Sequence, residues 1–204
     1  AGHAAEIYNY YKEQGWKYQQ YIACLDPLGE DRGKTPYALN PEQYGMFLTE
    51  LFNLWYEDWK KGEQPYIRQF ENYIGILLGY QPESCEQRGS CGTQNVVEAD
   101  GSVYPCDFYA LDEYKLGNFN CNRLEEIDKK RKEIAFVEQS QIVAENCKNC
   151  KFYKICKGGC RRNKDFNAMN GEYENYFCKS YRIFFDICLE RMIQIVEIIK
   201  NQKG

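Results

Sequence analysis

The stretch Cys147-Lys-Asn-Cys150-Lys-Phe-Tyr-Lys-Ile-Cys156-Lys-Gly-Gly-Cys160 carries four thiols spaced C-x2-C-x5-C-x3-C. A core has no need of four cysteines in one lysine-rich loop, because a buried cysteine is only a small hydrophobe. Thiolates at these spacings can converge on soft metal centres, since short loops let the backbone wrap an ion or a cluster. Gly158 and Gly159 fit that reading: glycine takes positive φ without strain and admits close approach to a bulky inorganic core. A disulfide knot and a zinc site with four thiolate ligands are the competing readings.

The totals narrow the choice. The chain has 204 residues, 44% of them hydrophobic, enough for a packed core in one large or two small domains. A net charge of -4 gives no reason to expect nucleic acid as a partner. Neither a signal peptide nor an apolar run of about 18 residues is visible, so no membrane span is expected and the cytoplasm is the expected location. There are eleven cysteines, and an odd count without a secretion signal argues against a disulfide framework. His3 is the single histidine and lies far in sequence from every cysteine pair. Any metal site is therefore nearly all-thiolate, which suits zinc and iron–sulfur clusters alike.

Outward from the cysteine run, elements alternate. Residues 3–14 read as an amphipathic helix with Ala4, Ile7, Tyr8 and Tyr11 on one face and Gly15 as its stop. Residues 17–23 read as a strand, so helix and strand together suggest the last part of an α/β unit. Residues 29–39 are loop. Asn40-Pro41-Glu42-Gln43 is a helix start, with Asn as N-cap and Pro at the first helical position. The stripe Tyr44, Phe47, Leu48, Leu51, Trp55 and Trp59 follows, and Lys60, Lys61 and Gly62 close the helix. A second helix is expected over about 67–79. Residues 94–98 and 102–104 read as a hairpin about an Asp100-Gly101 turn, ended by Pro105. A polar helix is expected over about 122–135 with Leu124 and Ile127 inward. A last helix carries Phe177, Tyr181, Phe184, Phe185, Cys188, Met192, Ile195, Val196 and Ile199 at helical spacing. Cys188 on that stripe reads as packing. Cys178 sits at the helix start, where a thiolate gains from the dipole.

Cys85, Cys91 and Cys106 flank the hairpin, whose exit returns close to its entry, so three thiols can gather at one end of it. With Cys147, Cys150, Cys156, Cys160 and Cys178 they make eight, enough for two four-thiolate centres. Cys24, Cys121 and Cys188 are left over.

The pattern C-x9-G-x4-C from Cys91, then C-x2-C-x5-C-x3-C, then Cys178, resembles the SPASM domain, the auxiliary-cluster domain of radical S-adenosylmethionine peptide-modifying enzymes. With Cys85 added it resembles the anaerobic sulfatase-maturating enzymes in particular. The wording agrees locally: Asp100-Gly-Ser-Val-Tyr-Pro-Cys106-Asp-Phe-Tyr109, Leu116-Gly-Asn118, and Cys156-Lys-Gly-Gly-Cys160-Arg-Arg162. The resemblance implies two [4Fe-4S] clusters, the first on Cys85, Cys91, Cys106 and Cys160, the second on Cys147, Cys150, Cys156 and Cys178. Spacing alone would not send Cys160 away from its neighbours, although two-cluster ferredoxins offer a precedent. It further implies an α+β chain: the remnant of a partial (β/α) barrel (1–39), bridging helices (40–80), and a SPASM domain with a β-hairpin, two cluster-binding loops and a capping helix (81–204).

The activity implied is that of a radical S-adenosylmethionine oxidoreductase. A 5′-deoxyadenosyl radical removes a Cβ hydrogen from a cysteine or serine of a sulfatase, and oxidation to formylglycine follows. S-adenosyl-L-methionine, a third [4Fe-4S] cluster and an electron donor such as ferredoxin or flavodoxin are implied for the parent. Asp107 is implied as the group that takes a proton from the substrate thiol or hydroxyl, a role that a raised pKa in a largely dry pocket would favour. Its bland alternative is a carboxylate capping a turn beside the cluster. Leu25 is implied near the adenine of S-adenosylmethionine, with core packing as the alternative. Arg161 and Arg162, with Lys148, Lys151, Lys154 and Lys157, are expected to form a basic surface over the clusters. Tyr104, Phe108 and Tyr109 line a peptide groove or pack the hairpin against the final helix. The family's C-x3-C-x2-C motif is absent from these residues, so the chain alone is expected to be inactive, as a fragment cut inside the barrel. The competing functions are another radical peptide maturase, making thioether or carbon–carbon crosslinks, and a zinc-thiolate binding module.

Overall fold

Two long helices make the frame, and the computed structural model describes residues 1–202 around them. Helix α1 (Ala4–Glu13) and strand β1 (Tyr18–Gln19) lead to α2 (Pro41–Trp59), followed by β2 (Tyr66–Ile67) and α3 (Arg68–Leu77). The Asn40 side chain accepts from the Gln43 N–H at 2.8 Å, so the capping signal read from sequence is met. A short α4 (Cys85–Arg88) precedes the sheet β3 (Val96–Val97), β4 (Ser102–Tyr104) and β5 (Gly117–Asn118). Then come α5 (Leu124–Glu133), α6 (Phe136–Ser140), α7 (Glu145–Lys148) and α8 (Tyr153–Cys156), the hairpin β6 (Lys164–Asn167) with β7 (Glu172–Asn175), and α9 (Cys178–Gln202). The chain is α+β, as expected.

Helices α2 and α9 pack side by side because both carry a continuous apolar stripe. Leu48, Leu51, Phe52 and Trp55 meet Phe184, Phe185, Cys188, Met192 and Ile195, all essentially closed to solvent. Each such side chain contributes about 1.5–3 kcal/mol on burial. The closest approach is at Gly45, where an added Cβ would lie 3.0 Å from the Ser180 Cα and carbonyl oxygen. Helix α3 closes the core through Phe70, whose ring lies 5.2 Å from Phe52 and 5.9 Å from Phe184. Helix α1 is fastened from outside: Tyr8 donates to Asp58 at 2.8 Å, and Lys12 pairs with the same carboxylate. Phe152 and Ile155 of the cysteine-rich run are buried in this same core. The thiol loop is thus anchored to the frame by its own apolar residues.

Several expectations are corrected. The strand expected over 17–23 is only Tyr18–Gln19, paired in parallel with Tyr66–Ile67. Beyond it the Gln69 side chain bonds both the N–H and the carbonyl of Tyr21, so a side chain replaces the ladder. The hairpin pairs Val96 with Tyr104 and Val97 with Val103, and gains a third strand, β5. Leu124 is half exposed, whereas Ile127 is fully buried. Leu124 is the first residue of α5, and the buried positions of that helix are Ile127 and, one turn on, Arg131. That guanidinium donates to the Gln94 carbonyl at 2.7 Å and also bonds the Asn95 side chain. Tyr109 packs against Phe136 and Tyr114, away from the final helix.

Candidate metal centres

The eleven cysteines are all free thiols. Eight of them line two cavities. Cys85, Cys91, Cys106 and Cys160 line the first, of about 370 Å³. Cys147, Cys150, Cys156 and Cys178 line the second, of about 630 Å³. The structure therefore gathers the same two quartets that the resemblance implied, including the departure of Cys160 from its sequence neighbours. Cys24 and Cys121 are exposed and line neither cavity, while Cys188 is buried between α2 and α9.

Local folding explains the grouping. Cys85 opens α4, and the turn after it brings Gly89 against the Lys157 backbone, so the two cysteine loops touch. The Cys91 N–H donates to Ser140 Oγ at 2.8 Å. Cys106 leaves β4 directly after Pro105, which cannot extend the ladder. Lys157 adopts positive φ, the left-handed stop of α8, and this reverses the chain between Cys156 and Cys160. One thiol then faces each cavity. Tyr181 of α9 lines both cavities.

The donors fit a thiolate-held cluster. Burial pushes the Cys106 and Cys156 thiols up to about 12 each, and raises Cys91, Cys147, Cys160 and Cys178 as well. Burial thus raises Cys178 although it opens α9. Unligated, these thiols hold their protons, and a metal centre must displace them on binding. Backbone N–H groups already aim at three of the sulfurs: those of Phe108 at Cys106, Gly158 at Cys156 and Arg162 at Cys160, the last at 3.4 Å. Such donors stabilise sulfur carrying negative charge. Among the described residues no group of three or more His, Cys, Asp or Glu closes on a single ion. One zinc needs its sulfurs at about 2.3 Å from a common point.

Asp107 lies at the wall of the first cavity and accepts from Cys106 Sγ at 3.2 Å. It is exposed, so the dry pocket expected around it is not a property of this chain. Leu25 also lines the first cavity and packs partly against the core. Phe108 and Tyr109 line it; Tyr104 does not and is buried in the sheet. The expected basic surface is largely committed elsewhere. Arg162 is buried and donates to the Asp26 carbonyl. Arg161 donates to the Phe136 carbonyl at 2.7 Å with its guanidinium 4.5 Å from that ring. Lys148 and Lys151 pair with Glu145 and Asp186. Sequence reasoning missed Glu86, which lines the first cavity and accepts from Tyr181 at 2.5 Å. Its place beside Cys85 was the available signal.

Comparison with known proteins agrees with the thiol geometry. Residues 85–151 match the SPASM family, described as an iron-sulfur cluster-binding domain. A cysteine-type anaerobic sulfatase-maturating enzyme of Clostridium perfringens (strain 13 / Type A) is 44% identical over 200 residues, 98% of this chain and 54% of that protein. One from Clostridium novyi is 41% identical over 97% of this chain and 53% of its own length. A serine-type enzyme of Bacteroides thetaiotaomicron is 29% identical over the whole chain and 53% of its own length. The solved structure of native anSMEcpe with bound AdoMet and Cp18Cys peptide superposes with a TM-score of 0.88 at 42% identity, over 97% of this chain and 56% of that one. The chain spans about half the length of the curated relatives it matches. Residues 85–151 thus match an iron-sulfur cluster-binding domain model, and nearly the whole chain is similar to about half the length of proteins named anaerobic sulfatase-maturating enzymes.

Proposed function

We propose that this chain holds two [4Fe-4S] clusters and part of the peptide site of an enzyme that oxidises a cysteine of a target sulfatase to formylglycine. The observation that carries the cluster assignment is the sorting of eight thiols into two cavities of four. Cys85, Cys91, Cys106 and Cys160 would hold the first cluster, and Cys147, Cys150, Cys156 and Cys178 the second. A cysteine target is favoured over serine because identity to cysteine-type relatives, 41–44%, exceeds the 29% to a serine-type one. Residues 1–39 are assigned to the end of a barrel core, 40–80 to bridging helices and 81–204 to the SPASM portion.

When bound, the clusters supply one-electron transfer, and S-adenosylmethionine with a third cluster supplies the radical chemistry. The chain's own residues do the rest. Asp107 takes the proton of the substrate thiol at the first cavity, Leu25 packs beside the cofactor end of that cavity, and Phe108 offers the peptide an exposed ring. A ferredoxin or flavodoxin is the proposed electron donor, on resemblance alone. The test is anaerobic reconstitution of the chain with iron and sulfide. About eight irons per chain is the expected result; about two zincs and no iron would overturn the reading.

A further inference from the structure

We propose that Asn163 is a hydrogen-bond donor to the first cluster, its side-chain amide giving an N–H to sulfur in the site of Cys85, Cys91, Cys106 and Cys160 and raising the reduction potential of that centre alone. This rests on the cluster reading above. A single 3-10 turn, Arg161–Asn163, follows Cys160, and Asn163 closes it by donating its backbone N–H to the Cys160 carbonyl at 3.0 Å. Its own carbonyl accepts from the Tyr176 N–H at 2.7 Å, so the residue is held from both sides. Side chains three apart in such a turn eclipse one another. Cys160 and Asn163 both line the first cavity, and neither lines the second. Three asparagines are buried among the described residues. Asn72 donates to the Arg68 carbonyl at 2.9 Å and accepts from the Glu83 N–H at 2.8 Å. Asn175 likewise uses both ends of its amide, on Gly158 and Phe177. Asn163, 7% exposed, is the exception: its side-chain oxygen is closed to solvent and has no partner.

A buried amide left unbonded is costly, and one kept in a folded chain needs a reason. The first cavity supplies it. A half-turn about χ2 exchanges the amide's oxygen and nitrogen, so either end can be offered to the cavity. A centre held by four thiolates is anionic and selects the N–H end. The Cys160 sulfur already accepts from the Arg162 N–H at 3.4 Å, and the Asn163 amide adds a second donor from the same turn. Each one-electron reduction adds a negative charge to the centre. Donors to its sulfurs stabilise the reduced form more than the oxidised form, and so raise the potential. Exclusion of water strengthens the effect. Asn163 acts through the cluster and not on substrate, so it is a positioning residue.

Asn163→Leu keeps the shape of the side chain and loses the donor. Because the amide oxygen has no protein partner, the urea midpoint of the metal-free, reduced chain should match that of the wild type. The chain is then reconstituted anaerobically, iron is counted, and each centre is titrated with a one-electron reductant under electron paramagnetic resonance. Cys91→Ala and Cys147→Ala assign the two signals. The expected result is that Asn163→Leu makes reduction of the first centre about tenfold less favourable, about 59 mV more negative, and leaves the second unmoved. After reconstitution in deuterated water, electron–nuclear double resonance on the reduced first centre should show an exchangeable deuteron that the Leu variant lacks. Iron lost from the first site alone, at unchanged metal-free stability, reads the same bond as occupancy. With the first site filled, an unshifted first centre, an equal shift at both centres or an unchanged deuteron pattern overturns the proposal. A lowered urea midpoint overturns it too, since the amide would then be serving the protein fold. The wild-type chain separates the two failures. If it binds no iron, the cluster reading itself falls; if it binds about eight irons and the Leu variant titrates like it, only the role of Asn163 falls.

Discussion

Gly159→Ala tests the loop that sends one thiol to each cavity. Gly159 lies between Cys156 and Cys160 at φ 71°, and an added Cβ would fall 2.2 Å from Asn175 Nδ2. That amide cannot yield freely. Asn175 is buried, donates to the Gly158 carbonyl at 3.0 Å, and accepts from the Phe177 N–H at 2.7 Å. The left-handed backbone costs an alanine about 1–2 kcal/mol. Displacing Asn175 removes two buried hydrogen bonds at about 1 kcal/mol each. Together the loss is about 3–4 kcal/mol, a large share of the 5–15 kcal/mol typical of a folded chain. Gly158→Ala is the control, since its φ is 83° but its Cβ would meet nothing within 4 Å. It carries only the backbone term, and its methyl projects from a wall of the second cavity. Urea unfolding of the metal-free, reduced chain should place Gly159→Ala about 2 kcal/mol below Gly158→Ala. Iron uptake should show the reverse selectivity, with Gly158→Ala losing iron from the second site while its fold is kept. Equal stability of the two variants would refute the steric reasoning, because the Asn175 contact is the difference between them.

Other outcomes follow from the same geometry. Cys147→Ala should leave about four irons per chain, lost from the second site, and Cys91→Ala about four, lost from the first; equal loss at both sites in either variant contradicts the division of ligands. Asp107→Asn, placed in the whole enzyme, should lower formylglycine formation by about 10²–10⁴-fold with iron content unchanged, as read by mass spectrometry of the product peptide. Asp26 links stability to acid: the Thr35 and Gly33 N–H groups and the Thr35 hydroxyl hold its carboxyl at about 2, below an ordinary 3.8. Its folded value is depressed, so its contribution is complete above about pH 4 and is lost as pH falls through about 2. Asp26→Asn should flatten the fall of the unfolding midpoint across that window, and an unchanged acid profile counts against the assignment.

What was legible in the sequence was what one residue type decides alone. Asn40-Pro41 starts a helix by capping chemistry, and the α9 stripe is buried as its spacing requires. The cysteine count allowed two four-thiolate centres, and resemblance proposed how the ligands divide. What stayed hidden depends on pairs that only folding creates. The β6–β7 hairpin is built from Lys-Asp-Phe-Asn and Glu-Tyr-Glu-Asn, with no buried face to impose alternation, and its ladder is fixed by backbone pairing from Lys164–Asn175 to Asn167–Glu172. Arg161 and Arg162 looked like surface charge because arginine usually is. Yet Arg162 is buried against the Asp26 carbonyl, joining the loop after Leu25 to the turn after Cys160. That tie connects the Leu25 side of the first cavity with the loop that carries Cys156 and Cys160. A change at Arg162 therefore acts on the thiol geometry and on the wall that carries Leu25 together, which a reading of isolated motifs treats as separate sites.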